Sequence, residues 1–148
     1  MKINLITPAK KFSKNGNRTT ALRWARILRD LGHQVNVSVN YDGKKTDLMI
    51  ALHAWRSADS IINYKKVYPN RPLIVTLTGT DINSYIDSDP VRTIGSMDCA
   101  DFLICLHDLV ADITPIKFHG KLRIIYQSAP ALSQERNPRK SFFDICLI

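Results

Sequence analysis

"INLITPAKKFSKNGNRTTALRWARILRDLGHQVNVSVN", residues 3–40, changes character three times. "INLITPA" (3–9) is a continuous apolar run of strand length, the pattern of a parallel strand buried on both faces. "KKFSKNGNR" (10–18) is basic and contains one glycine. Ala21, Trp24, Ala25, Leu28 and Leu31 then recur at helical spacing on one face, with Asn17 as the expected N-cap and Gly32 as the C′ glycine that stops the helix. "QVNVSVN" (34–40) alternates strictly and reads as a strand nearer a sheet edge. Strand, loop, helix and strand in this order make a parallel β-α-β unit.

The pattern continues along the chain. "DLMIALHA" (47–54), "PLIVTLTGTD" (72–81), "ADFLICLH" (100–107) and "KLRIIYQSA" (121–129) read as further strands, and "RSADSIINYKKVY" (56–68) as a helix, with another from about Asp108. The expected fold is α/β, a doubly wound, Rossmann-like parallel sheet with strands near 2–8, 34–39, 47–53, 72–78, 101–106 and 122–127, in the order 3-2-1-4-5-6. Ligands of such sheets bind at the carboxyl ends of the strands. That directs attention to Lys10–Arg18, His53–Arg56, Thr78–Asp81, His107 and Gln127–Ser128.

The 148 residues carry a net charge of +8, and residues 1–32 hold eight Lys or Arg against a single acid, Asp30. A localised excess of this kind favours an anionic partner, although Arg23, Arg26 and Arg29 read as a solvated helix face. Cys99, Cys105 and Cys146 form no CxxC pair and lie in or beside apolar runs, which suggests reduced thiols in a cytoplasmic protein. No signal segment and no apolar run of membrane-spanning length is present in the sequence.

Gly16 permits a tight turn or close backbone approach, and the helix start beyond it offers free N–H groups to an anion, with Arg18 adding charge. A flexible surface loop with incidental lysines fits the same spacing. Neither GxGxxG nor GxxxxGK[ST] occurs, which removes the main support for a dehydrogenase or an NTPase. In "LTGTD" a strand runs into Thr78, Gly79, Thr80 and Asp81, more small and polar groups than capping a helix requires. His53 and His107 each close a strand, whereas His33 and His119 stand beside turn glycines. No His or Cys pair has metal-ligand spacing, so no metal and no cofactor are expected. Gln127 and Ser128 end the last strand, where they can bond a ligand or satisfy local backbone.

Taken in order, "TPA…GNRTTALRWARILRDLGHQV", "ALHAWRSADSI", "RPLIVTLTGTD" and "IIYQSAP" resemble the N-terminal half of a GT-B glycosyltransferase. More particularly they resemble the selenosugar synthases of selenoneine biosynthesis, over the whole of residues 1–148. The resemblance implies an enzyme that joins selenophosphate to the anomeric carbon of a UDP-sugar and releases UDP. It implies residues 1–130 as the acceptor-side domain, 131–141 as an interdomain linker, and 142–148, "FFDICLI", as the first strand of a missing donor-binding domain that would hold most of the UDP-sugar. A fragment ending there would be inactive alone, and its apolar tail would invite dimerisation. Gly16, Asn17 and Arg18 become anion-binding candidates. Thr78, Gly79, Thr80, Gln127 and Ser128 become substrate contacts, and His53 and Asp81 the candidate catalytic groups.

An ordinary sugar-acceptor GT-B enzyme is the nearest alternative, and a basic nucleic-acid-binding module the alternative of another class. Against the latter, only Phe12 interleaves with the basic loop and no helix-turn-helix or RNP-like pattern appears, so no nucleic-acid partner is expected. Lys10 and Lys11 stand where a receiver domain would need acids.

Overall fold

The computed structural model describes residues 1–13 and 15–128. The expected linker, the 142–148 strand, Cys146 and any dimer made through the tail lie outside the described residues.

Six strands form one all-parallel sheet: β1 (Lys2–Ile6), β2 (Gln34–Ser38), β3 (Leu48–Leu52), β4 (Leu73–Thr76), β5 (Phe102–Cys105) and β6 (Leu122–Ile124). The helices are α1 (Gly16–Asp30), α2 (Ala58–Val67), a π-helical turn Asp81–Tyr85 that runs into α3 (Ile86–Ser88), α4 (Pro90–Cys99) and α5 (Val110–Ile113). A 3-10 turn, Ile116–Lys121, leads into β6. The chain is thus α/β and Rossmann-like, as its alternation of patterns requires. No helix among the described residues is long and apolar enough to cross a membrane.

The strand order is β2-β1-β3-β4-β5-β6, which corrects the expected 3-2-1-4-5-6. Two features force the difference. Parallel neighbours need a crossover of a dozen or more residues, usually helical, and only residues 39–47, without a helix, separate β2 from β3. The burial patterns agree: β3 is buried at four of its five positions and β2 at none, so β2 takes the rim and β3 the interior.

Residues of alternating parity feed two cores. Met49, Ala51, Leu73, Val75, Leu103 and Cys105 face α2 and α4, where Ile61, Tyr64 and Met97 meet them. Ile3, Leu5, Ile50 and Leu52 face α1, against Ala21 and Ala25. Crossover handedness explains the unequal covering. Every connection from β2 onward moves the same way across the sheet, and right-handed crossovers place all of them on one face. The β1–α1–β2 unit moves the opposite way, so among the described residues α1 stands alone on the other face. Beyond it a groove of ≈ 320 Å³ is floored by Ile50, Ile74, Ile104 and Ile125 and walled by Trp24 and Ile27.

The first helix is capped two residues earlier than expected. Asn15, not Asn17, is the N-cap, and its side chain accepts from the Arg18 N–H at 3.1 Å. The Gly32 expectation holds: its φ of +85° is the left-handed conformation that stops a helix at C′. Cys105 is buried and Cys99 only partly so, both as free thiols.

Candidate functional site

The order reverses between β1 and β3, so the loops that leave their carboxyl ends diverge around a crevice. A cavity of ≈ 410 Å³ occupies that place. Asn15, Gly16, Asn17 and Thr20 line it from the start of α1. Leu52, His53 and Arg56 line it from the end of β3, Thr76 and Thr78–Thr80 from the end of β4, and Leu106 and Gln127 from beyond β5 and β6.

His53 and Asp81, twenty-eight positions apart, meet at its base. His53 Nδ1 lies 2.6 Å from Asp81 Oδ1, and both side chains are essentially out of contact with solvent. Asp81 also accepts from the backbone N–H groups of Ala54, Trp55 and Thr78 at 2.9–3.0 Å, and from the Thr78 hydroxyl at 3.0 Å. Burial alone would raise its carboxyl pKa. The hydrogen bond and charge of His53, with the Trp55 and Thr78 amides, outweigh burial and hold it below the usual 3.8. Asp81 is therefore an anion with nothing to donate.

That fixes the imidazole tautomer. A carboxylate at 2.6 Å demands the proton on Nδ1, even though the Arg56 N–H also approaches Nδ1 at 3.3 Å. In its neutral form the ring presents Nε2 as an acceptor, and the Thr80 hydroxyl lies 2.9 Å from it. Thr80, unlike His53, is exposed, so the dyad meets the cavity through Thr80.

The backbone bears the mark of this arrangement. His53 has φ +72°, the left-handed region, and no other non-glycine residue among those described shares a positive φ. Such a conformation costs on the order of 1–3 kcal/mol and persists where its surroundings impose it. The surroundings here are the His53 N–H to Thr76 O bond at 2.9 Å and the Ser57 hydroxyl on Leu52 O at 2.7 Å. The π-helical turn that carries Asp81 is the kind of irregularity that recurs at functional sites. Behind the dyad, the Trp55 ring stacks on Tyr85 at 4.1 Å between centroids and 3° between planes. Its indole N–H donates to Asp89 at 2.8 Å, while Arg92 donates to Trp55 O and pairs with Asp59. The rear wall is thereby fixed in place.

The other expected residues divide. Gly16, Asn17, Thr78, Gly79, Thr80 and Gln127 line the cavity with His53. Arg18 does not; its Nε is buried without a hydrogen-bond partner among the described residues. Lys10 and Lys11 are exposed on the preceding loop, leaving Arg56 as the cation of the lining among the described residues. Ser128 sits to one side, accepting from Arg23 Nε at 3.0 Å. His107 is exposed and outside the lining. Thr20, Thr76 and Leu106 carried no distinguishing signal in the sequence. Thr76 is fully buried, and its hydroxyl lacks a partner among the described residues. No group of three or more His, Cys, Asp or Glu side chains suited to a metal ion occurs among the described residues.

The chain matches no protein-family profile and no curated protein. Its chemistry is therefore read from this site.

Proposed function

We propose that this chain is the acceptor-side domain of a GT-B glycosyltransferase of the selenosugar-synthase type, in which selenophosphate attacks a UDP-sugar and UDP departs. The observation that carries the reading is a buried His53–Asp81 dyad at the switch point of a parallel sheet, across one cavity from the start of a helix. A helix start offers unpaired N–H groups and the positive end of a dipole, Arg56 adds a full charge, and both suit a phosphate-like acceptor. The Thr76 hydroxyl, without a partner among the described residues, supplies a further polar group on the same wall. In this scheme the acceptor sits between α1 and the β4 turn, and the donor is held mainly by a second domain. Selenophosphate is a strong nucleophile, so His53 serves to orient it more than to deprotonate it.

One observation favours the ordinary sugar-acceptor alternative. With its proton on Nδ1, His53 presents a hydrogen-bond acceptor, which suits a hydroxyl that must lose a proton. Titration of the chain with monothiophosphate, followed by amide NMR, separates the readings. Saturable shifts at Asn17, His53 and Thr78–Thr80, weakened about tenfold or more by Arg56→Ala, support the selenophosphate reading. Shifts at the same amides with simple sugars but none with thiophosphate would move the assignment to a hydroxyl acceptor. Binding only to oligonucleotides, falling steeply with salt, would overturn both.

A further inference from the structure

We propose that Thr80 is an activated hydroxyl nucleophile, and that the cavity accepts a carboxylic ester whose acyl group it takes onto Thr80 Oγ1. The basis is a continuous hydroxyl–imidazole–carboxylate chain: Thr80 Oγ1 to His53 Nε2 at 2.9 Å, and His53 Nδ1 to Asp81 Oδ1 at 2.6 Å. The roles follow from burial. Asp81 is pinned by three backbone N–H groups and holds the ring, His53 lines the cavity but is almost sealed from solvent, and Thr80 is the solvent-exposed member of the three. A hydroxyl hydrogen-bonded to an oriented imidazole is the arrangement that converts a weak nucleophile into a competent one.

The site also has a place for the charge that develops. Gly79 and Thr80 open the helical run that continues through the π turn, and their N–H groups have no acceptor among the described residues. They stand beside the nucleophile, where a tetrahedral oxyanion would need donors. Gly79 leaves open space on that side, since a Cβ there would meet only the Asn83 side chain at 3.8 Å.

The step balances without any outside reagent but water. Thr80 Oγ1 attacks the ester carbonyl carbon as its proton passes to His53 Nε2. The C–O bond to the alcohol then breaks, and His53 returns the proton to the departing oxygen. Water, deprotonated by the same Nε2, attacks the acyl-threonine, releasing the acid and restoring Thr80. None of this requires a sugar nucleotide, so the proposal stands or falls apart from the transferase reading.

Diisopropyl fluorophosphate is the probe: Oγ1 displaces fluoride at phosphorus, His53 takes the proton, and a stable phosphotriester remains. Incubation of the chain, followed by intact mass and peptide mapping, is expected to give one adduct per chain, on Thr80. Thr80→Val, nearly isosteric, is expected to abolish it while the chain still unfolds cooperatively, its melting temperature lowered a few degrees by the loss of the hydroxyl's bond to His53, and Thr80→Ser to retain it. His53→Asn, a residue type tolerant of positive φ, is expected to slow labelling about 100-fold or more. No adduct, an adduct elsewhere, or an adduct that survives Thr80→Val would overturn the proposal.

Discussion

Replacing Asp81 with Asn tests the centre of the site, because it keeps the shape and removes only the charge and one acceptor. Five donors converge on the two carboxylate oxygens: His53 Nδ1 and Trp55 N–H on Oδ1, Ala54 N–H, Thr78 N–H and the Thr78 hydroxyl on Oδ2. An amide supplies one oxygen. Seated toward Ala54 and Thr78, it turns its NH2 on the Trp55 N–H, which loses its acceptor at a cost of about 1–3 kcal/mol, and on His53, whose ring must take the other tautomer so that Nδ1 accepts instead. The remaining bonds lose their charge assistance, roughly 0.5–1 kcal/mol each, and relief of the buried charge offsets part of that. The expected net loss is about 3 kcal/mol at pH 7. That lowers the melting temperature by roughly 6–12 °C for a domain of this size. Asp81 has a depressed folded pKa, so its stabilisation is present above the unfolded value of about 3.9 and is lost as pH falls through the folded one. The gap between wild type and Asp81→Asn should therefore close below about pH 4. Urea unfolding followed by tryptophan fluorescence across pH 3–7 measures it. A loss under about 1 kcal/mol at pH 7, or a gap that does not change with pH, would refute the charge-assisted account.

Two further outcomes are expected. Burial pushes the Tyr64 hydroxyl up to about 12, so its contribution is intact below the unfolded value of about 10 and is lost as pH rises from there toward 12. Absorbance at 295 nm should show one tyrosine titrating with unfolding, and Tyr64→Phe should remove that alkaline loss. Gly32→Ala, at φ +85°, should cost about 1 kcal/mol or more in the same urea assay, whereas a neutral effect would mean the α1 stop is not held left-handed.

The elements were legible in the sequence because each announces its own period. The apolar runs of β1, β3 and β4 and the helical stripe of α1 depend on near neighbours. The order of the strands was not, since it rests on how the 39–47 connection crosses the sheet. It could have been caught: a strand as apolar as "LMIAL" does not belong on a rim, and the alternation of "QVNVS" had already marked the edge. The site was half legible for the same reason. Position at a strand's carboxyl end singled out His53 and Asp81, but their bond depends on a left-handed turn at His53 and a π turn at Asp81, which leave no periodic trace. Arg18 shows the converse. Its place beside Gly16 looked right for the cavity, yet capping α1 at Asn15 leaves it off the lining.

The uneven upholstery of the sheet has a dynamic consequence. Among the described residues, sixteen buried ones form the cluster beneath α2 and α4, and six the cluster beneath α1. A helix fastened by the smaller cluster lifts at lower free energy, so α1 belongs to the first unit to open, and the α2–α4 side to the last. The cavity spans both. Its His53–Thr80 wall rests on the firm half, and its Asn15–Thr20 wall is the leading turn of the helix that loosens first. Thermal breathing thus widens and narrows the crevice from one side only. The His53 and Thr80 side chains stay still while the opposite jaw moves.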